Sequence, residues 1–306
     1  MFENSVVIAG PASVHLARSI SRNLNIKIIE PELKIFSDGE TKLRFPSVNN
    51  KHCIIVQSLY PPPDRHIIQL LMIIHKCKKN NASKITVIIP YMAYARQDKA
   101  FLEGEIISIA VLAQVIENFG VDEVITVDIH NDVSLSYFSV NIKNVTAIPA
   151  LAEYIKNNIT TDKSFIISPD AGGIKRANKF AQLLKLPMLC LKKKRDRKTG
   201  YVSINENIGM EVGGMNAILI DDMISTGGSI VKACEILKKQ KIGNITVLCT
   251  HAILVNNAFE RIISSGVKEI ISTNSIPSIC SKVDLSLILS NMLVNANKSD
   301  WGHIPH

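Results

Sequence analysis

No two of the six cysteines stand in CxxC spacing. Cys53, Cys77, Cys190, Cys234, Cys249 and Cys280 are scattered, most of them inside apolar runs, as buried reduced thiols are. A long apolar run is missing as well: the longest, Ile85 to Ala95, is about half of the ~20 residues a membrane helix needs. The first ten residues carry an acidic side chain where a secretory leader would be basic, and no small-residue cleavage pattern follows. A soluble, cytoplasmic protein with no membrane partner is expected. Low-complexity segments are absent too, and with 46% hydrophobic residues disorder is excluded. Acid is in deficit. Against 35 Lys+Arg stand 27 Asp+Glu, a formal charge of +8, which excludes an acidic solvating chain and suits anionic small molecules or nucleic acid.

What the chain does have is length and alternation. At 306 residues it exceeds the size at which one core stops growing, so two domains of roughly 150 residues are expected. Strand-length apolar runs lie at Val6–Ala9, Cys53–Gln57, Ile85–Pro90, Val124–Asp128, Phe165–Ser168, Met188–Leu191, Ala217–Ile220, Ile245–Cys249 and Ile270–Thr273. Amphipathic stretches such as Glu105–Phe119, Ile174–Leu184 and Ser229–Lys239 separate them. Continuous Val/Ile/Leu blocks between helices predict an α/β fold whose mainly parallel sheets are covered on both faces.

The pattern occurs twice. KITVIIPY from Lys84 matches NITVLCTH from Asn244, 160 positions further on. The segment starting at Ser5 lies over the one starting at Ser164, and after a one-residue slip Ala17 matches Ala177, Ile20 matches Phe180 and Leu24 matches Leu184. A four-residue slip aligns Ile54–Val56 with Ile218–Ile220. Two like-folded domains are therefore expected, 1–145 and 146–306, with the polar stretch Asn141–Thr146 as the crossing point. After the third strand the second half has DDMISTGGS where the first has QSLYPPPDR, so one copy has a site that the other lacks.

That segment joins a buried-type strand, the carboxylates Asp221 and Asp222, a Ser225-Thr226-Gly227-Gly228-Ser229 turn and an amphipathic helix. Glycines let the backbone approach an anion closely. Successive N–H groups, the helix N-terminus and the hydroxyls of Ser225, Thr226 and Ser229 can then converge on a phosphate. Adjacent carboxylates at the strand's carboxyl end cannot help bind phosphate, but they accept hydrogen bonds from a cis-diol. Together these features read as a pentose 5-phosphate site. A capped strand-to-helix turn is the ordinary alternative, and the absence of a Walker lysine excludes a P-loop.

Four more polar clusters follow strands: FSDGE (Phe36, Asp38, Gly39, Glu40), PYMAYARQDK with Arg96 and Gln97, VDIHN with His130, and SPDAGG with Asp170. Singly, each has a plain structural reading: a hairpin turn, a solvated helix start, a structural histidine. Jointly, they could line one crevice at the strands' carboxyl ends.

In this order and combination the motifs resemble the ribose-phosphate pyrophosphokinase family over nearly the whole chain, from Val6 to about Asn291, and are closer to archaeal-type members. The resemblance implies a tandem of two type I phosphoribosyltransferase-type domains, with the last ~15 residues packing back on the first. It implies transfer of a diphosphoryl group from ATP to the 1-hydroxyl of ribose 5-phosphate, in a Mg²⁺-dependent homo-oligomer whose ATP site lies at a subunit interface, with no nucleic-acid partner. Asp221, Asp222 and Ser225 to Ser229 then correspond to the ribose 5-phosphate contacts. Arg96 and Gln97 correspond to ATP contacts, as do Phe36, Asp38, Gly39 and Glu40. His130 and Asp170 match metal positions, and Lys193 and Arg195 in LKKKRDRK match the catalytic pair. Ser225 and Ser229 stand where the family often has Asp and Thr; both keep a hydrogen-bonding group.

Overall fold

The computed structural model describes residues 2–191, 193–195, 202–204 and 212–299, without the side chains of 193–195, 202–204 and 296–299. The chain forms two compact units. One holds the residues up to Thr146, Ser275–Pro277 and the segment from Asp284; the other holds Ala147–Asn274 and Ser278–Val283.

In chain order the first unit runs β1 (Ser5–Ala9), α1 (Val14–Leu24), β2 (Lys27–Ile29), β3 (Glu32–Ile35), β4 (Thr41–Arg44), β5 (His52–Val56), α2 (Pro63–Lys79), β6 (Lys84–Ile89), α3 (Ser108–Asn118), β7 (Glu123–Val127) and β8 (Asn141–Val145). Six of these strands form a parallel sheet in the order β2-β1-β5-β6-β7-β8. Its central strands are buried from end to end, the reason they read as continuous apolar blocks. Helix α3 starts at Ser108, later than the expected Glu105, because the Glu105 carboxylate is held in the preceding loop by the N–H groups of Phe101 and Leu102. The polar stretch from Asn141, expected as a crossing point, is the edge strand β8. It reads as polar because most of it is only half-buried.

The second unit runs α4 (Ile148–Asn158), β9 (Ser164–Ser168), α5 (Ile174–Leu184), β10 (Met188–Cys190), β11 (Lys193–Arg195), β12 (Val202–Ile204), β13 (Asn216–Ile224), α6 (Gly228–Lys239), β14 (Ile245–Ala252), α7 (Ala258–Ser264), β15 (Val267–Thr273) and β16 (Ser281–Val283). Its parallel sheet is ordered β10-β9-β13-β14-β15-β16, strand for strand the order of the first. The registers repeat too. The row Val6–Cys53–Ile85 of the first sheet has Phe165–Ala217–Ile245 as its counterpart in the second. These are the segments that align in sequence, including the four-residue slip before β13.

The last helix, α8 (Ser286–Ser299), belongs to the first unit and packs on α1. Leu285, Leu289 and Leu293, one turn apart, are its buried stripe, and Asn23 donates to Ser286 Oγ at 3.1 Å. The returning segment therefore begins at Asp284, earlier than the last ~15 residues expected, because this leucine stripe starts at 285. Residues 300–306 lie outside the described residues. Among the described residues no helix is long and apolar enough to cross a membrane.

Candidate active site

In the second unit, β13 ends at Ile224 and the chain turns through Ser225, Thr226 and Gly227 into α6. Gly227 caps the helix at φ +74°, and a Cβ there would lie 2.7 Å from Ile262 Cδ1 on α7, so both backbone and space demand glycine. The turn is braced from outside. Val255 N–H donates to the Ser225 carbonyl at 3.1 Å, and the Arg261 guanidinium donates to the Thr226 carbonyl. Fixing the carbonyls outward leaves the first N–H groups of α6 and the hydroxyl side chains at the helix end, where an anion is favoured.

Asp221 and Asp222 sit on β13 just ahead of this turn. Asp222 is buried and Asp221 half-buried, and the Asp222 N–H donates to Asp221 Oδ1 at 2.9 Å. Burial, then the hydrogen bond and charge of Asp222, push the Asp221 carboxyl well above the usual carboxylate range, while Arg176 pulls it down. Arg176 was not singled out in the sequence. Its signal was the placement two residues into the helix that follows SPDAGG. Asp170 ends that segment: its Oδ1 accepts from the N–H groups of Gly172 (3.0 Å) and Gly173 (3.3 Å), which starts the turn into α5.

Lys193 and Arg195 lie on β11, paired antiparallel with β12, Lys193 opposite Ile204 and Arg195 opposite Val202. Their side chains lie outside the described residues, as do Lys192 and 196–198 of the basic run.

In the first unit the structure joins two of the predicted motifs. Asp98, buried in the RQDK loop, accepts from the Asn131 carboxamide of the VDIHN loop, and Tyr137 donates to the Asp98 carbonyl at 2.8 Å. The sequence marks Asp98 as part of the polar group Arg96-Gln97-Asp98-Lys99 but assigns it no role of its own. Gln97 donates to Glu105 at 3.2 Å, while Arg96 and His130 are exposed at the sheet's carboxyl edge. FSDGE forms the tip of the separate β3–β4 hairpin, with Gly39 at φ +92°. Among the described residues, the tip's hydrogen bonds stay within the hairpin.

The first unit's counterpart of Asp221 is Gln57, the residue after β5, the strand that stands in the first sheet where β13 stands in the second. Its carboxamide accepts from Ala12 N–H (3.0 Å) and donates to the His66 carbonyl (3.1 Å), lying where a Cβ on Gly10 would touch it. At this place in the first unit a buried side chain occupies the space at the sheet's carboxyl edge.

His130 and Asp170 belong to different units, and among the described residues no group of three or more His, Cys, Asp or Glu could hold an ion. Sparse oxygen and imidazole donors fit a divalent cation that arrives on phosphate oxygens and keeps most of its waters, rather than a protein-built cage.

A doubled parallel α/β unit, with paired carboxylates and a glycine turn at one sheet's carboxyl edge, defines a tandem phosphoribosyltransferase-type enzyme. Comparison with known proteins narrows this. Residues 5–120 match the N-terminal domain of ribose phosphate pyrophosphokinase, and 202–297 match the phosphoribosyl synthetase-associated domain. The ribose-phosphate pyrophosphokinase of Sulfurisphaera tokodaii is 36% identical over 279 residues, covering 91% of this chain and 95% of that protein. That of Methanobrevibacter smithii is 37% identical over 297 residues, covering 94% and 99%. The crystal structure of phosphoribosylpyrophosphate synthetase from Mycobacterium smegmatis superposes with TM-score 0.86 at 28% identity, covering 97% of this chain and 100% of that one. The chain belongs to the ribose-phosphate pyrophosphokinase family, a family of metal-dependent kinases.

Proposed function

We propose that the chain transfers the β,γ-diphosphoryl group of ATP to the 1-hydroxyl of ribose 5-phosphate. The hydroxyl oxygen bonds to the β-phosphorus, the bond from that phosphorus to the α,β-bridging oxygen breaks, and the hydroxyl proton is released. The products are phosphoribosyl pyrophosphate and AMP. The observation that carries the reading is the Asp221–Ser229 segment, whose braced glycine turn and paired carboxylates suit a phosphorylated pentose with a free cis-diol.

Such transfers need positioning and charge stabilisation more than covalent work by the protein. Ser225, Thr226, Gly227, Gly228 and Ser229 hold the 5-phosphate, and Asp221 and Asp222 accept from the ring hydroxyls. Arg96 and Gln97, on a loop pinned through Asp98, contact ATP. Lys193 supplies a point charge on the transferring phosphates, and Arg195 a bidentate clamp. His130 and Asp170 are the residues that would contact Mg²⁺, which would supply positive charge to the polyanionic substrates.

In the homo-oligomer we propose, the hairpin tip with Phe36, Asp38, Gly39 and Glu40 completes a neighbouring copy's ATP site. The exposure of Leu33, Ile35 and Phe36 supports this, as does an apolar groove lined by Ile67, Ile68, Tyr94, Ile106, Val111 and Leu112. The reaction is cytoplasmic, with no nucleic-acid partner. The test is AMP release from ATP in the presence of Mg²⁺: it must depend on ribose 5-phosphate. Consumption of phosphoribosyl pyrophosphate with a free base, and no AMP formation, would instead make the chain a salvage transferase.

A further inference from the structure

Consecutive residues of a strand point to opposite faces, yet one side chain serves both aspartates of β13. Arg176 Nη1 lies 3.9 Å from Asp221 Oδ1 and 3.7 Å from Asp222 Oδ1, and all three side chains are largely withdrawn from solvent. The Asp222 backbone N–H donates to Asp221 Oδ1 at 2.9 Å, and the Asp222 carboxyl itself hydrogen-bonds to that of Asp221, so the two acidic groups are coupled. Two carboxylates so placed share a proton unless a cation offsets them, and a pair joined by a shared proton has fewer acceptors to offer a diol. At 3.7–3.9 Å the guanidinium is beyond hydrogen-bond distance, so it supplies charge without occupying the lone pairs that a sugar would use.

Among the described residues, Cys249 on β14, the register partner of Asp221, also lies beside the pair. Burial first, then the charge of Asp221, keeps its thiol well above the usual range, so it stays neutral and adds no compensating charge; Cys280 lies beyond it. Among the described residues, Arg176 is a cation within 4 Å of both carboxylates.

We propose that Arg176 is a positioning residue of the pentose site, keeping both carboxylates of β13 available as acceptors for a cis-diol. This rests on the reading of Asp221 and Asp222 as the diol contacts. It makes recognition of the sugar hydroxyls, rather than of the phosphate or of ATP, the property that Arg176 controls.

The test is steady-state kinetics of the full chain with Arg176→Gln, Arg176→Lys and Asp222→Asn, using 2-deoxyribose 5-phosphate as a competitor that lacks one hydroxyl. Arg176→Gln should raise the KM for ribose 5-phosphate about tenfold or more near neutral pH, leaving the KM for ATP within about twofold. The penalty should shrink as pH rises, because the pair ionises unaided there, and the competitor's inhibition constant should change less than the KM. Arg176→Lys should recover most of the loss. The inference is overturned by a pH-independent penalty, by equal losses for both sugars, or by a fall in kcat alone. It is also overturned if Arg176→Lys does as much harm as Arg176→Gln, which remains decisive if the glutamine variant fails to fold. Unchanged discrimination between the sugars in Asp222→Asn would instead sink the diol reading itself.

Discussion

Ile262 closes the space beside Gly227: a Cβ on that glycine would lie 2.7 Å from Ile262 Cδ1 and 2.9 Å from Cγ1. Gly227→Ala therefore meets two penalties, a left-handed backbone (~1–2 kcal/mol) and overpacking (~1–3 kcal/mol). We expect a lowered melting temperature and a KM for ribose 5-phosphate raised at least about tenfold. Adding Ile262→Ala removes the crowding but not the φ of +74°, so only part of the loss should return. Full recovery would mean that backbone conformation contributes nothing.

Asp98 and Asn131 tie the RQDK and VDIHN loops together. Asn131→Ala leaves a buried carboxylate short of a partner, at a cost of ~1–3 kcal/mol. The KM for ATP should rise while that for ribose 5-phosphate stays near its starting value. Asn131→Asp should be worse, since it sets a second negative charge against the first. A variant that affects both substrates alike would show that the tie supports the fold generally.

Acid should weaken the first unit through His52 and Glu123. Burial, then the charge of Lys84, lowers His52 to about 4, and its Nε2 lies 2.9 Å from Thr86 Oγ1. The unfolded chain binds this proton below about pH 6.5 while the folded chain does not. Stability is therefore lost as pH falls from about 6.5 to about 4, on the order of 2 kcal/mol. Burial would raise the Glu123 carboxyl, but Lys143 (2.7 Å) and Lys84 (3.2 Å) outweigh it and hold it below the ordinary range. Its contribution is present above the usual carboxylate pKa and disappears as pH drops through the lowered value. Melting temperatures recorded across this window should decline, and His52→Gln should flatten the upper part of the decline. An unaltered slope in that variant would count against the assignment.

Lys193 and Arg195, on β11, should matter for turnover rather than for binding. Alanine at either position is expected to lower kcat by about a hundredfold or more, with both KM values within a few-fold. Weakened affinity with normal turnover would remove both from the transferring phosphates. Measuring AMP formation at saturating ATP and ribose 5-phosphate separates the two outcomes.

Much of the fold was legible because burial in a parallel sheet leaves a local trace. Ile174–Leu184 is a helix with the expected ends, and the strands from Val6, Ile85 and Val124 begin one residue early at most. The duplication was legible for the same reason, since equal strands in equal registers need similar apolar blocks. Elements without a buried face left no such trace. The β3 strand is exposed throughout and β8 is a half-buried edge; the first was unmarked, while the second was read as the crossing point, where the first unit does end at Thr146, but not as a strand. The glycine turn could be found because its backbone demands are local. The partnerships of Arg176, Asp98 and Ile262 could not, for their partners lie tens of residues away.

By itself, then, the sequence determined which segments become strands and helices, that the pattern occurs twice, and which half carries the glycine turn, since all of these depend on neighbours along the chain. Only the tertiary structure decided that Arg176 faces both aspartates, that α7 braces the turn, that Gln57 occupies the matching place in the first unit and that the C-terminal helix belongs with the first unit. Those outcomes depend on contacts between side chains distant in sequence, which the folded chain alone brings within a few ångströms.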